Sequence, residues 1–176
     1  MKLAIIVGHN SKAQGAVRVT DGVTEYSWNS ALAEEIEALG PDVRIFYRTK
    51  GGGYSAEIDR VYSEVNDWGA TASVELHFNA ASDERVAGCE TLSSGSSGST
   101  VLCEALQARM VAVMGGRDRG VKVVSKDDRG GRSLWAGKAP AALIEPYFGS
   151  NPDSCDLADA KSKELAKAIY EAAKTV

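Results

Sequence analysis

The sequence predicts an α/β fold: one domain with a mostly parallel, mixed sheet flanked by helices on both faces. Two observations carry that expectation. Short apolar runs of strand length alternate with longer segments whose apolar residues recur at helical spacing. No second region of the chain is large enough to build a core of its own, so the domain is taken to span residues 1–176.

The elements follow in order. Lys2 to Val7 reads as a strand, and the continuous apolar run Leu3 to Val7 within it is the mark of one covered on both faces. Thr24 is placed to cap a helix from Glu25 to about Leu39, because Trp28, Leu32, Ile36 and Leu39 fall on one face and Gly40-Pro41 halts the chain. Val43 to Tyr47 reads as a second strand. Tyr54, Ile58, Val61, Tyr62, Val65 and Trp68 mark a second helix, and Ala72 to Leu76 a third strand that leads into His77. Cys89 to Leu92 reads as a further strand. Ser93 to Ser99 alternates serine and glycine, has little to bury, and is expected to be a mobile surface loop. A helix from about Thr100 to Met114 follows, with Leu102, Leu106, Met110 and Val113 inward. Val121 to Val124 and Ala141 to Glu145 are short strands, and Pro152 to Ala173 is a final helix or pair of turns.

Composition narrows the function classes. The net charge of −4 argues against a nucleic-acid partner held by a basic patch. The longest apolar runs are strand-sized, so no membrane-spanning segment is expected. The N-terminus reads as a first strand rather than a signal peptide, which implies synthesis in the cytoplasm. Cys89, Cys103 and Cys155 are an odd, widely spaced set with no CxxC pair, expected to be reduced and apart from any metal.

The chain has two histidines, and each follows a predicted strand: His9 after Ala4–Val7 and Gly8, His77 after Ser73–Leu76. A third strand, Ala141–Ile144, ends on Glu145. Ligands of open α/β sheets bind outside the carboxyl ends of strands, so these three side chains are candidates to converge, with Glu25 able to join them from its helix start. Two imidazoles and a carboxylate suit zinc and leave a fourth position for water; a second carboxylate beside that water can take its proton. Plainer readings stand beside this one. A histidine after a strand is commonly structural, and an acid in a first helical turn is favoured by the helix dipole alone.

Six segments, in order, resemble the zinc-dependent N-acetylmuramoyl-L-alanine amidases of bacterial cell-wall hydrolases and phage endolysins. They are Gly8-His9 with Gln14-Gly15-Ala16; Thr24-Glu25; Glu75-Leu76-His77-Phe78-Asn79-Ala80; Gly88-Cys89-Glu90-Thr91; Asp118-Arg119-Gly120-Val121-Lys122; and Ala139-Pro140-Ala141-Ala142-Leu143-Ile144-Glu145-Pro146-Tyr147-Phe148-Gly149-Ser150-Asn151. The resemblance implies that His9, Glu25 and His77 ligate Zn2+ and that Glu145 is the catalytic general base. The implied reaction is hydrolysis of the amide joining the lactyl group of N-acetylmuramic acid to L-alanine, with peptidoglycan as the partner. A monomer is expected, acting on the wall after release or export by another route. Two departures are plain: an Asp-Pro usually precedes the Gly-His, and Ile6-Val7 stands here; and Asn10-Ser11 replaces a glycine-rich stretch. The rival expectations are a zinc peptidase cutting within the stem peptide, and a catalytically silent wall-binding domain.

Overall fold

In the computed structural model, which describes residues 1–176, the apolar run Leu3–Val7 forms strand β1, wholly buried along its length. Helix α1 (Glu25–Glu37) starts where expected, with the Thr24 hydroxyl accepting the Ser27 N–H. Strand β2 (Val43–Tyr47), helix α2 (Tyr54–Trp68) and strand β3 (Ala72–Leu76) follow. Then come β4 (Cys89–Ser93), α3 (Ser97–Met114), β5 (Asp118–Val123), α4 (Gly131–Ala136), β6 (Ala141–Glu145), α5 (Pro152–Ala160) and α6 (Ser162–Ala173).

The strands form one six-stranded sheet in the order β2-β1-β3-β6-β4-β5. β2, β1, β3 and β6 are parallel; β4 runs antiparallel to β6, and β5 is parallel to β4. Alternation along the strands divides the core. Leu3, Ile5 and Val7 of β1 face α1, α3, α5 and α6 in the main cluster, with Leu32, Leu106, Ala158 and Ile169. Ala4 and Ile6 face α2, packing with Ile58, Val61 and Tyr62. Leu92 and Leu143 face Leu134 of α4. Both faces are therefore covered by helices, as a buried parallel sheet requires.

Three features depart from the sequence reading. β5 begins at Asp118, before the expected Val121. Helix α4 was not foreseen. Most importantly, the Ser93–Ser99 run is not a mobile loop. Ser93 ends β4 with its hydroxyl accepting the Gly95 N–H, and Ser96 caps α3 by accepting the Ser99 N–H. The buried Ser99 hydroxyl donates to the Ala141 carbonyl on β6. Gly98 lies where a Cβ would come within 2.8 Å of Pro140. Only Ser94–Ser96 lie between elements. Ser93 and Ser99 bury hydroxyls that pair with the backbone and Ser96 caps from the surface, so small polar composition here builds a helix start. Ser96→Ala should therefore cost about 1 kcal/mol, a drop of about 2–4 °C in the thermal midpoint. A mobile connector would show no shift.

Candidate metal centre

The site sits at the carboxyl ends of β1, β3 and β6, where the sheet changes direction. His9, two residues beyond β1, has φ 66°, and it is the only non-glycine residue in the left-handed region. Such a conformation costs free energy that the surroundings must offset, and it commonly marks a constrained functional loop. Asn10 anchors the turn: its Oδ1 accepts the Lys12 and Ala13 N–H groups, and its Nδ2 donates to Glu57 of α2 at 2.9 Å. Asn10 thus holds the turn that carries His9 by its side-chain hydrogen bonds.

Glu25 opens α1 and points inward, buried. Its Oε1 lies 2.7 Å from His77 Nδ1, and its Oε2 lies 3.0 Å from His9 Nε2. The same oxygens accept the backbone N–H groups of Phe78 and Ala16 at 3.3 and 3.2 Å. One potential ligand atom from each of His9, Glu25 and His77 falls within a span of 4.8 Å. Glycines permit this crowding. A Cβ on Gly15 would sit 2.6 Å from His9 Nε2 and 2.7 Å from Glu25 Oε2, and one on Gly8 would sit 2.6 Å from His77 Nε2.

Charge explains the geometry. Burial disfavours the Glu25 carboxylate, but hydrogen bonds from His77 and His9 outweigh it and hold its pKa far below the usual range. For His77, burial opposes protonation, but Glu25 and Glu75 overcome it and raise the pKa to about 10. Two imidazole nitrogens and a carboxylate oxygen, brought within 4.8 Å of one another, are a donor set suited to a divalent cation such as zinc.

Glu145, at the end of β6, lines the same cleft as His9 and His77, a cavity of about 540 Å³ that Arg48, Tyr54 and Arg129 also line. The Asn79 amide donates to Glu145 Oε2 and, at 3.0 Å, to Glu90 Oε1. Glu90 is the register partner of Glu145 across the antiparallel β4–β6 pair. Burial opposes ionisation of Glu90, yet Lys122 Nζ at 2.5 Å and Arg119 Nε at 2.8 Å keep its pKa below the ordinary value. Glu145 has no cation within ion-pair distance, although the more distant Arg129 favours its ionised form slightly. Burial first, and then the neighbouring Glu90, raise its pKa to about 7, although the His77 charge works the other way.

Of the four residues singled out from the sequence, His9, His77 and Glu145 therefore line one cleft, and Glu25 lies buried against both histidines. Asn79, Glu90 and Glu75 were visible in the motifs but carried no role, because nothing local in the sequence reports that β4 runs antiparallel to β6. The cysteines lie apart from this chemistry, each buried and unpaired.

A family model described as N-acetylmuramoyl-L-alanine amidase matches residues 3–175. No curated protein matches the chain. Among solved structures, the catalytic domain of the CD27L endolysin targeting Clostridia difficile is 26% identical, with a TM-score of 0.81 over 98% of this chain and 96% of that one. The catalytic domain of CwlV, an N-acetylmuramoyl-L-alanine amidase from Bacillus (Paenibacillus) polymyxa var. colistinus, is 21% identical, with a TM-score of 0.81 over 99% and 97% of the two chains. The CwlD amidase of Clostridioides difficile, solved in complex with the GerS lipoprotein, is 21% identical, with a TM-score of 0.80 over 99% and 97%.

Proposed function

The chain belongs to the N-acetylmuramoyl-L-alanine amidase family, and on that premise we propose that it hydrolyses the amide between the lactyl group of N-acetylmuramic acid and L-alanine in peptidoglycan, with His9, Glu25 and His77 holding zinc and Glu145 acting as general base. The observation that carries this reading is the convergence of His9 Nε2, Glu25 and His77 Nδ1 in a cleft whose wall presents one carboxyl of raised pKa. Zinc held there would supply Lewis acidity, polarising a carbonyl oxygen and lowering the pKa of a bound water toward neutrality.

The remaining work falls to the chain's own groups. Asn79 engages Oε2 of Glu145, which leaves Oε1 to take the proton of the attacking water and return it to the departing L-alanine nitrogen. A carboxyl titrating near neutrality is matched to both tasks. Glu25 cannot share them: its oxygens are committed to His9, His77 and two backbone N–H groups. No helix is long and apolar enough to cross a membrane.

Digestion of purified muropeptides and wall with mass analysis of the products tests the reading. Free L-alanine amino termini should appear, vanish with a strong chelator and return with added zinc. Cleavage only within the stem peptide would point instead to a peptidase, and zinc-loaded protein that binds wall without products to a silent binding domain.

Zinc uptake should also depend on pH in a definite direction. The His77 pKa is raised above its unfolded value near 6.5, so its ion pairs stabilise the metal-free fold fully below pH 6.5 and are lost as pH rises through about 10. Zinc must displace that proton. Its affinity should therefore rise with pH across this window, by up to about tenfold per unit, with release of about one proton. Calorimetry in buffers of different ionisation enthalpy measures the proton count; a value of zero at pH 7.5 would contradict the account.

A further inference from the structure

Glu75 lies on β3, two residues before His77, and is 1% exposed. A carboxylate so placed is costly unless its oxygens are matched. Its nearest polar neighbour is the histidine: Oε1 is 3.0 Å from His77 Nε2. The Tyr62 hydroxyl donates to Oε2 at 3.2 Å, and Arg48 Nη1 stands 3.6 Å from Oε1. Arg48 is shared with Glu57 at 3.5 Å, so it is not dedicated to Glu75. Glu57 in turn takes the Gly51 N–H and the Asn10 amide, which ties this buried cluster to the turn that carries His9. The imidazole of His77 is thus gripped at Nε2 from β3 while its Nδ1 faces Glu25 at 2.7 Å.

Register adds a second observation. Glu75 pairs with Ile6 of β1, and Ile6 packs in the apolar cluster on the α2 side, where Tyr62 also lies. The acid that the resemblance placed just before Gly8-His9 is missing from β1, and a carboxylate enters the same layer from the adjacent strand.

We propose that Glu75 is the positioning residue of His77: it accepts the Nε2–H, fixes the tautomer that leaves the Nδ1 lone pair toward Glu25 and the metal, and locks the ring plane. The proposal rests on His77 being a zinc ligand, as put forward above. Carboxylates in this relation to a ligating histidine typically matter by about 10- to 100-fold in metal affinity.

The test is Glu75→Gln, which keeps the shape and removes the charge. Zinc affinity, measured by chelator competition, should fall about 10- to 100-fold. In zinc-loaded protein labelled with 15N-histidine, the His77 Nε2–H resonance should move upfield or be lost to exchange. That signal separates positioning from general support of the fold. Affinity within twofold of the parent, or a loss of affinity with the resonance unmoved, overturns the proposal. Should the glutamine variant fail to fold, Glu75→Asp retains a charge for Arg48 while withdrawing the acceptor from Nε2; the resonance must move there too, and its constancy overturns the proposal. His77→Ala measured alongside distinguishes the two levels. If it keeps zinc, the ligand assignment itself fails; if it loses zinc while Glu75→Gln does not, only the role of Glu75 fails.

Discussion

Glu145→Gln should lower turnover about 100- to 10,000-fold while leaving the zinc content unchanged. The amide has nearly the volume of the carboxyl and can still meet Asn79, so the cleft keeps its shape. It cannot take a proton from water, and no other group is placed to do so: Glu90 is held by Lys122 and Arg119, and Glu25 is committed to the histidines. The same change should also stabilise the protein, with a definite pH dependence. The folded pKa of Glu145 is raised from 4.5 to about 7, chiefly by burial. Ionisation is thus easier in the unfolded chain, and the parent loses stability as pH rises from about 4.5 to about 7. The glutamine variant escapes that loss, so its melting temperature should exceed the parent's at pH 7.5 and match it more closely near pH 4.5. A rate reduction below fivefold would remove Glu145 from the base role. A variant less stable than the parent at pH 7.5 would contradict the electrostatic description of the cleft.

His77→Ala should abolish both zinc retention and activity. The change deletes one of three protein donors and also strips the partner shared by Glu25 and Glu75, two buried carboxylates. Removing one member of a buried charge cluster typically costs about 3–5 kcal/mol, so the metal-free variant should melt well below the metal-free parent. Metal analysis after dialysis and thermal unfolding without metal read the two effects separately. Full zinc occupancy in a folded variant would refute the ligand assignment.

Much of the architecture is legible in the sequence because burial writes it there. Leu3–Val7 is apolar at every position, as a strand covered on both faces must be. Trp28, Leu32 and Ile36 keep helical spacing because α1 packs one stripe on the sheet. The termini of these elements then locate His9, Glu25, His77 and Glu145. What escapes is whatever depends on contacts across the fold. Helix α4 has six residues, beginning with Gly131 behind the Gly130 cap, too few turns to show a period. The serines of the Ser93–Ser99 run look solvated until β6 supplies the acceptor for Ser99. The sequence leaves Glu25 two readings, a favourable helix-dipole position or a ligand; the turn that carries His9 and the end of β3 that carries His77 together bring both imidazoles to its oxygens. Glu90 acquires meaning from the antiparallel pairing of β4 with β6, and Glu75 from lying beneath His77, and local pattern shows neither.

The most direct test of the central claim is to locate the metal. In crystals of zinc-loaded protein, an anomalous difference map recorded at the zinc absorption edge should show one strong peak between His9 Nε2, Glu25 and His77 Nδ1, on the cleft side that Glu145 faces. A zinc-saturated crystal with no peak there, or with its principal peak elsewhere in the cleft, would contradict the account.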